Sequence, residues 1–259
     1  MIENYFSNAR KRCWDIYNRY YGNGQYLHHE ARYLEEISRL VTSDTILLDA
    51  GSGADMPFTE QIARKVGMAV GTDIGEIKAI KAGPYGVRAD LGSLPFKENV
   101  FDIVISMSVI EHLQNPRAVL SELSRVLKPN AIAILQTPNK YDYVSLIARF
   151  TPTWFHRRVL ACLLSRKEED TFPTFFSANS QGKIVKLLNH SNFVPLKVIR
   201  FNQYPAYLMF SPLLFRLGIC YERITSHFEF CAQLRAWILV VAQKRGARDQ
   251  NLSRISSGS

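Results

Sequence analysis

The sequence predicts an α/β fold built on a doubly wound, mostly parallel sheet. Three observations predict it. Short apolar runs alternate with helical patterns across residues 45–137, the order that parallel strands with crossover helices produce. The first run passes into a turn with two glycines, Gly51-Ser52-Gly53, that opens a helix. Three runs in succession end in an aspartate: Asp49, Asp73 and Asp90. At 259 residues and 47% hydrophobic composition the chain can bury a sizeable core, as one large domain.

Residues 3–20 read as a helix with a tyrosine-rich face, broken by Gly22-Asn23-Gly24, and a second helix is expected from Tyr26 to Leu40. Thr45–Asp49 is an apolar run suited to a buried parallel strand. A helix over 57–66, a strand over Met68–Asp73 and a strand over Gly86–Asp90 follow. Phe101–Met107 and Ala131–Thr137 are the fourth and fifth strands. Between them Val119, Leu120, Leu123, Val126 and Leu127 share one face of an amphipathic helix. After residue 140 the alternation stops, and later strands are expected over Phe193–Phe201 and Ala236–Gln243. The polar stretch 246–259 is expected to be a disordered tail.

Composition narrows the classes. Cys13, Cys162, Cys220 and Cys231 form no C-x-x-C pair and no zinc-type spacing, so reduced thiols, no metal and a cytoplasmic setting are expected. The N-terminus has no apolar core behind its basic residues, which disfavours a secretory signal. No stretch reaches the ~18 apolar residues of a spanning helix; the nearest, Tyr204–Tyr221, holds two prolines and Arg216. The net charge of +9 suits nucleic acid, an anionic lipid surface, a phosphorylated acceptor or solubility alone.

The first loop carries the chemistry. Its glycines let backbone approach a ligand, and backbone N–H groups are expected free at the helix start. Met56 stands where a dinucleotide fingerprint needs a third glycine. Asp49, at the strand tip, would repel a pyrophosphate but favour a ligand bearing ammonium and sulfonium charges. That combination favours S-adenosylmethionine over NAD or FAD. Asp73 can accept from both ribose hydroxyls, and Asp90, with Leu91 beside it, from an adenine amino group.

The stretches ILLDAGSGA (46–54), GTDI (71–74), ADLGSLPFKENVFDIVISMSVIEHL (89–113) and RVLKPNAIAILQTPN (125–139) resemble the class I S-adenosylmethionine-dependent methyltransferases, of the small-molecule type similar to the ubiquinone and menaquinone methyltransferases. The resemblance implies a Rossmann-like sheet of seven strands with the last antiparallel. It also implies an N-terminal helical lid (1–40), a cofactor core (41–140) and substrate-cap insertions (141–176 and 202–234). By resemblance the cofactor contacts are Asp49, Gly51, Ser52, Gly53, Asp73, Ile74, Asp90, Leu91, Met107 and Ser108. Asn130 replaces a usual glycine, in a turn whose left-handed conformation Asn tolerates.

Methyl transfer asks the protein to position a nucleophile and sometimes to take its proton. His112 is the candidate base for a hydroxyl acceptor, or a lining residue; Glu111 could hold a cationic acceptor or cap a helix. Tyr17, Tyr20, Tyr21, Phe175 and Phe176 could close the pocket or simply pack. Phe155, Val159, Leu160, Leu163 and Leu164, flanked by Arg157, Arg158, Arg166 and Lys167, suit either a cap or a helix on a membrane surface, as do the apolar residues of 204–219. The reading is therefore methyl transfer, preferably to oxygen, of a small or lipid-linked acceptor, in the cytoplasm or at the inner face of a membrane. A tRNA or RNA methyltransferase using the basic surface is the alternative, although Ser106-Met-Ser-Val109 lacks the Asn/Asp-Pro-Pro-aromatic pattern of enzymes that methylate exocyclic base amines. A protein that binds the cofactor or a partner without turnover has the same sequence signature.

Overall fold

The computed structural model describes residues 2–24, 26–78, 83–150 and 174–246. The apolar face expected over 155–164 with its flanking basic residues, Cys162 and the tail beyond 246 lie outside the described residues. The chain divides into two compact units: residues 33–137, 174–199 and 238–259, and residues 1–32, 138–173 and 200–237.

The larger unit is organised by a seven-stranded sheet. Its strands are β1 (Ile46–Ala50), β2 (Met68–Asp73), β3 (Tyr85–Arg88), β4 (Phe101–Met107), β5 (Leu127–Pro138), β6 (Phe193–Phe201) and β7 (Trp237–Lys244). They lie in the order β3-β2-β1-β4-β5-β7-β6. β1 pairs in parallel with β2 and β4, β2 with β3, and β4 with β5; β7 runs antiparallel to β5. Helices α2 (His29–Ser38), α3 (Pro57–Ala63), α4 (Pro116–Val126) and α6 (Gln181–His190) join these strands.

The central strands read as continuous apolar runs because both faces are covered. Leu48, Val104 and Leu135 share a core with Leu120 and Leu123 of α4 and Ile184 and Leu188 of α6. Leu47, Ile103, Ile105 and Ile134, at alternate positions, are buried as well. The edge strands behave differently: Tyr85 of β3 and Leu196 of β6 are exposed. Asn115 accepts from the Ala118 N–H and Pro116 follows it, which fixes where α4 starts. Asn130 takes φ 64°, the left-handed value expected of that position. The bulge it sits in offsets β5 from β4, so Phe101 pairs with Leu127 but Ile103 with Ile132.

The smaller unit contains α1 (Ile2–Tyr21), α5 (Tyr143–Phe150) and α7 (Pro212–His227). Cys13, Ile16, Tyr21, Met209, Phe215 and Ile219 form its core, with Tyr17, Tyr26 and Tyr204 packed on it. The tyrosine rings stand 4.8–6.1 Å apart, edge to face or tilted. Tyr26 does not extend α2, which begins three residues later than expected. Its hydroxyl instead accepts the Tyr204 N–H at 2.8 Å.

Candidate active site

Parallel strands β1 to β4 deliver their C-terminal ends to one edge of the sheet, where ligands of such folds bind. The loop after β1 is tight and internally bonded. Gly51 and Ser52 both donate to the Thr72 carbonyl, at 2.8 and 2.9 Å. Gly53 N–H donates to Asp73 Oδ2 at 3.0 Å. The three loop N–H groups are therefore engaged. The loop is held to β2 through the Thr72 carbonyl and the Asp73 carboxylate.

Gly51 sits at φ 83°, and a Cβ there would collide with Val109 Cγ2. Only glycine fits against the loop that follows β4. Gly53 also has positive φ, but a Cβ there would meet nothing within 4 Å, so space is open beside it. Met56 takes a left-handed conformation and is buried. Cβ atoms on Gly71 or Gly86 would collide with or crowd its side chain. The bulk that would spoil a dinucleotide fingerprint is accommodated by glycines in β2 and β3.

Asp49 does not face open solvent. It is 3% exposed, and its Oδ2 accepts the Thr59 hydroxyl at 2.6 Å. Burial pushes its carboxyl up to about 7, and the charge of Asp73 adds to this against the opposing Thr59 hydrogen bond. The folded chain thus binds a proton at Asp49 that the unfolded chain releases near pH 4. Stability from this group is present at low pH and is lost as pH rises from about 4 to about 7. Asp49→Asn keeps an acceptor for Thr59 and removes that loss. Melting curves of the cofactor-free protein should show the variant gaining several degrees over wild type at about pH 8 and nothing at about pH 4. A constant difference at all pH values would contradict the assignment.

Asp73, at the end of β2, accepts from Gly53 and, through Oδ1, from Gly75 N–H at 2.8 Å. Ile74 beside it is 59% exposed. Asp90 is exposed and accepts the Gly92 N–H at 2.8 Å, while Leu91 is buried. Met107 ends β4, its sulfur contacted by the Gln136 amide at 3.2 Å. Ser108 takes φ 57° and donates its N–H to the Gln136 carbonyl.

His112 closes a short 3-10 turn, Ile110–His112, just past β4. Its neighbour Glu111 neither reaches solvent nor caps a helix. It is 4% exposed, and its Oε2 accepts the Thr137 hydroxyl at 3.0 Å, while Thr137 accepts from the Asn179 amide. Burial pushes this carboxyl up, against His112 and Thr137, which favour its charge. The Glu111 carbonyl receives the N–H groups of Phe175 and Phe176. Of those two rings, Phe175 is exposed. Tyr17 and Tyr21 belong to the tyrosine cluster of the smaller unit, and Tyr20 lies under the Arg223 guanidinium.

Sequence reading missed Thr59, Thr137 and Asn179, each defined only by a partner distant in the chain. It also saw no metal-type cluster, whereas His28, His29 and Glu30 place one potential ligand atom each within 4.8 Å of one another. Cys13, Cys220 and Cys231 are free thiols.

Comparison with known proteins agrees with this geometry. Residues 48–135 match the methyltransferase domain family. A "Probable S-adenosylmethionine-dependent methyltransferase" of Mycolicibacterium smegmatis is 30% identical over 138 residues, 51% of this chain and 52% of that protein. The ubiquinone biosynthesis O-methyltransferase of Hahella chejuensis is 29% identical over 36% of this chain and 43% of its own length. The chain spans about half the length of the curated relatives it matches. Among solved structures, the cyclase SpnF aligns with a TM-score of 0.55 at 15% identity over 87% of this chain and 85% of its own. An S-adenosylmethionine-dependent methyltransferase from Mesorhizobium loti aligns at 0.52 and 16%, over 83% and 97%. These two alignments speak to the fold alone. With the loop, the strand-end acids and the matched segment together, residues 48–135 form a methyltransferase domain, similar to those of S-adenosylmethionine-dependent methyltransferases.

Proposed function

We propose that the chain transfers the methyl group of S-adenosylmethionine to an oxygen of a small or lipid-linked acceptor, with His112 as the base. The observation that carries the reading is the sharing of one sheet edge by the Gly51–Gly53 loop, three strand-end acids and the His112 turn. The residues fit the cofactor. Space is open beside Gly53, Asp73 offers two carboxylate oxygens to vicinal hydroxyls, and Asp49 places a buried carboxyl next to the loop. A cationic ligand there would draw Asp49 into its ionised form. The O-methyltransferase among the relatives supports oxygen as the atom methylated.

The bound cofactor supplies an electrophilic methyl group already activated by its sulfonium. What remains for the protein is alignment and proton removal. The His112 imidazole, on a turn anchored through Glu111, can take the acceptor hydroxyl proton as the oxygen becomes nucleophilic. Gly51 against Val109 keeps the cofactor loop and the His112 turn in fixed register.

Methyl-labelled S-adenosylmethionine incubated with the protein and fractionated small-molecule and lipid extracts tests the reading. Label in an alkali-stable, ether-type product supports it. Label in protein or RNA alone, or cofactor binding with no transfer to any pool, would replace it.

A further inference from the structure

The outward side of α7 is apolar where a soluble surface would be polar. Leu213, Leu217, Cys220 and Ile224 recur at intervals of four, three and four, so they lie along one line of the helix. All four are exposed, Leu213 at 69% and Leu217 at 58%. Phe215, Gly218, Ile219 and Thr225, on the other side, are buried and hold the helix in its unit. The strip runs on into Phe228 and Phe230, whose rings lie 5.4 Å apart, Phe230 being 83% exposed. Arg216, Arg223 and His227 form a row along one flank of it. Contiguous exposed apolar surface of this extent marks an interaction site.

We propose that this face docks the chain on an anionic lipid surface. Charge selects the partner. The carboxylates around the strip are engaged: Glu222 accepts from Tyr21 and Ser226, and Glu229 pairs with Arg235. Among the described residues no carboxylate pairs with Arg216 or Arg223. A second copy of the chain would bring its own basic row to the contact with no acid to meet it. A lipid surface answers both features. Its acyl boundary takes the leucines and phenylalanines, and its phosphates take the arginines. The net charge of +9 adds attraction at longer range. Among the described residues no helix is long and apolar enough to cross a membrane. The proposal goes beyond methyl transfer and stands whether or not the acceptor is a lipid.

Sedimentation of the whole chain with vesicles tests it, using phosphatidylcholine alone and phosphatidylcholine mixed with phosphatidylglycerol. The protein should pellet with the anionic vesicles at low salt and be released as salt rises. Leu217→Glu should weaken partitioning about tenfold or more by placing a charge in the apolar strip. Arg216→Gln should weaken it about fivefold, and only for the anionic vesicles. S-adenosylmethionine titration of each variant, expected unchanged, separates loss of docking from loss of folding or of the cofactor site. Should Leu217→Glu fail to fold, Arg216→Gln at its exposed position still decides. The proposal is overturned if wild type pellets with neither vesicle or if both variants pellet like wild type. It is equally overturned if the strip proves to be a self-contact, with dimers abolished by Leu217→Glu and no lipid bound.

Discussion

His112→Asn should lower kcat by about two to four orders of magnitude while leaving S-adenosylmethionine affinity near that of wild type. A base acts only as the acceptor oxygen loses its proton, so its removal falls on the chemical step and not on cofactor binding. The turn that carries His112 is well suited to this. Glu111 is buried and tied to Thr137, Thr137 is tied to Asn179, and the Glu111 carbonyl holds the backbone of Phe175 and Phe176. Such anchoring fixes where an imidazole one residue on can point. The comparison variant is Glu111→Gln, which keeps a hydrogen-bonding side chain but removes the buried carboxyl beside the ring. It should cost less in kcat than His112→Asn. Steady-state kinetics of the two variants give the ranking. Wild-type kcat in His112→Asn would leave His112 a lining residue and return the proton to solvent or to the acceptor itself.

The sheet was legible because its strands are buried on both faces. Leu47-Leu48 and Ile103-Val104-Ile105 need apolar side chains at consecutive positions, and such runs stand out from amphipathic neighbours like Val119 to Val126. The left-handed turn at Asn130 was legible for a similarly local reason. Side-chain pairing was not. Asp49 reads as a ligand-facing acid until Thr59, in the following helix, is seen to donate to it. Glu111 reads as an acid that holds an acceptor or caps a helix until Thr137 and Asn179 are placed beside it. Nothing in Gly51-Ser52-Gly53 announces that the Thr72 carbonyl and the Asp73 carboxylate, on the next strand, will take the loop N–H groups. Each miss is a contact across the sequence, set by strand register and not by spacing.

Asp73 is where those contacts meet the proposed ribose site, and Asp73→Ala should weaken S-adenosylmethionine binding about a hundredfold or more. Its two oxygens already organise the site from within, one holding Gly53 and the other Gly75. Each oxygen keeps a second lone pair, enough to accept one ligand hydroxyl. Hydrogen bonds to a charged acceptor contribute roughly 1.5–3 kcal/mol apiece, so losing two, together with the tether on the loop, is consistent with that factor. Asn is a poor rescue here, since its amide nitrogen would face an N–H donor at either Gly53 or Gly75. Asp90 makes the contrast: it is exposed and holds only its own turn through Gly92. Asp90→Ala should therefore cost about tenfold or less. Calorimetric titration of wild type and the two variants gives the ranking directly. Equal losses would mean that exposure does not govern the acids' roles. An unchanged affinity in Asp73→Ala would move the cofactor hydroxyls away from the end of β2 altogether.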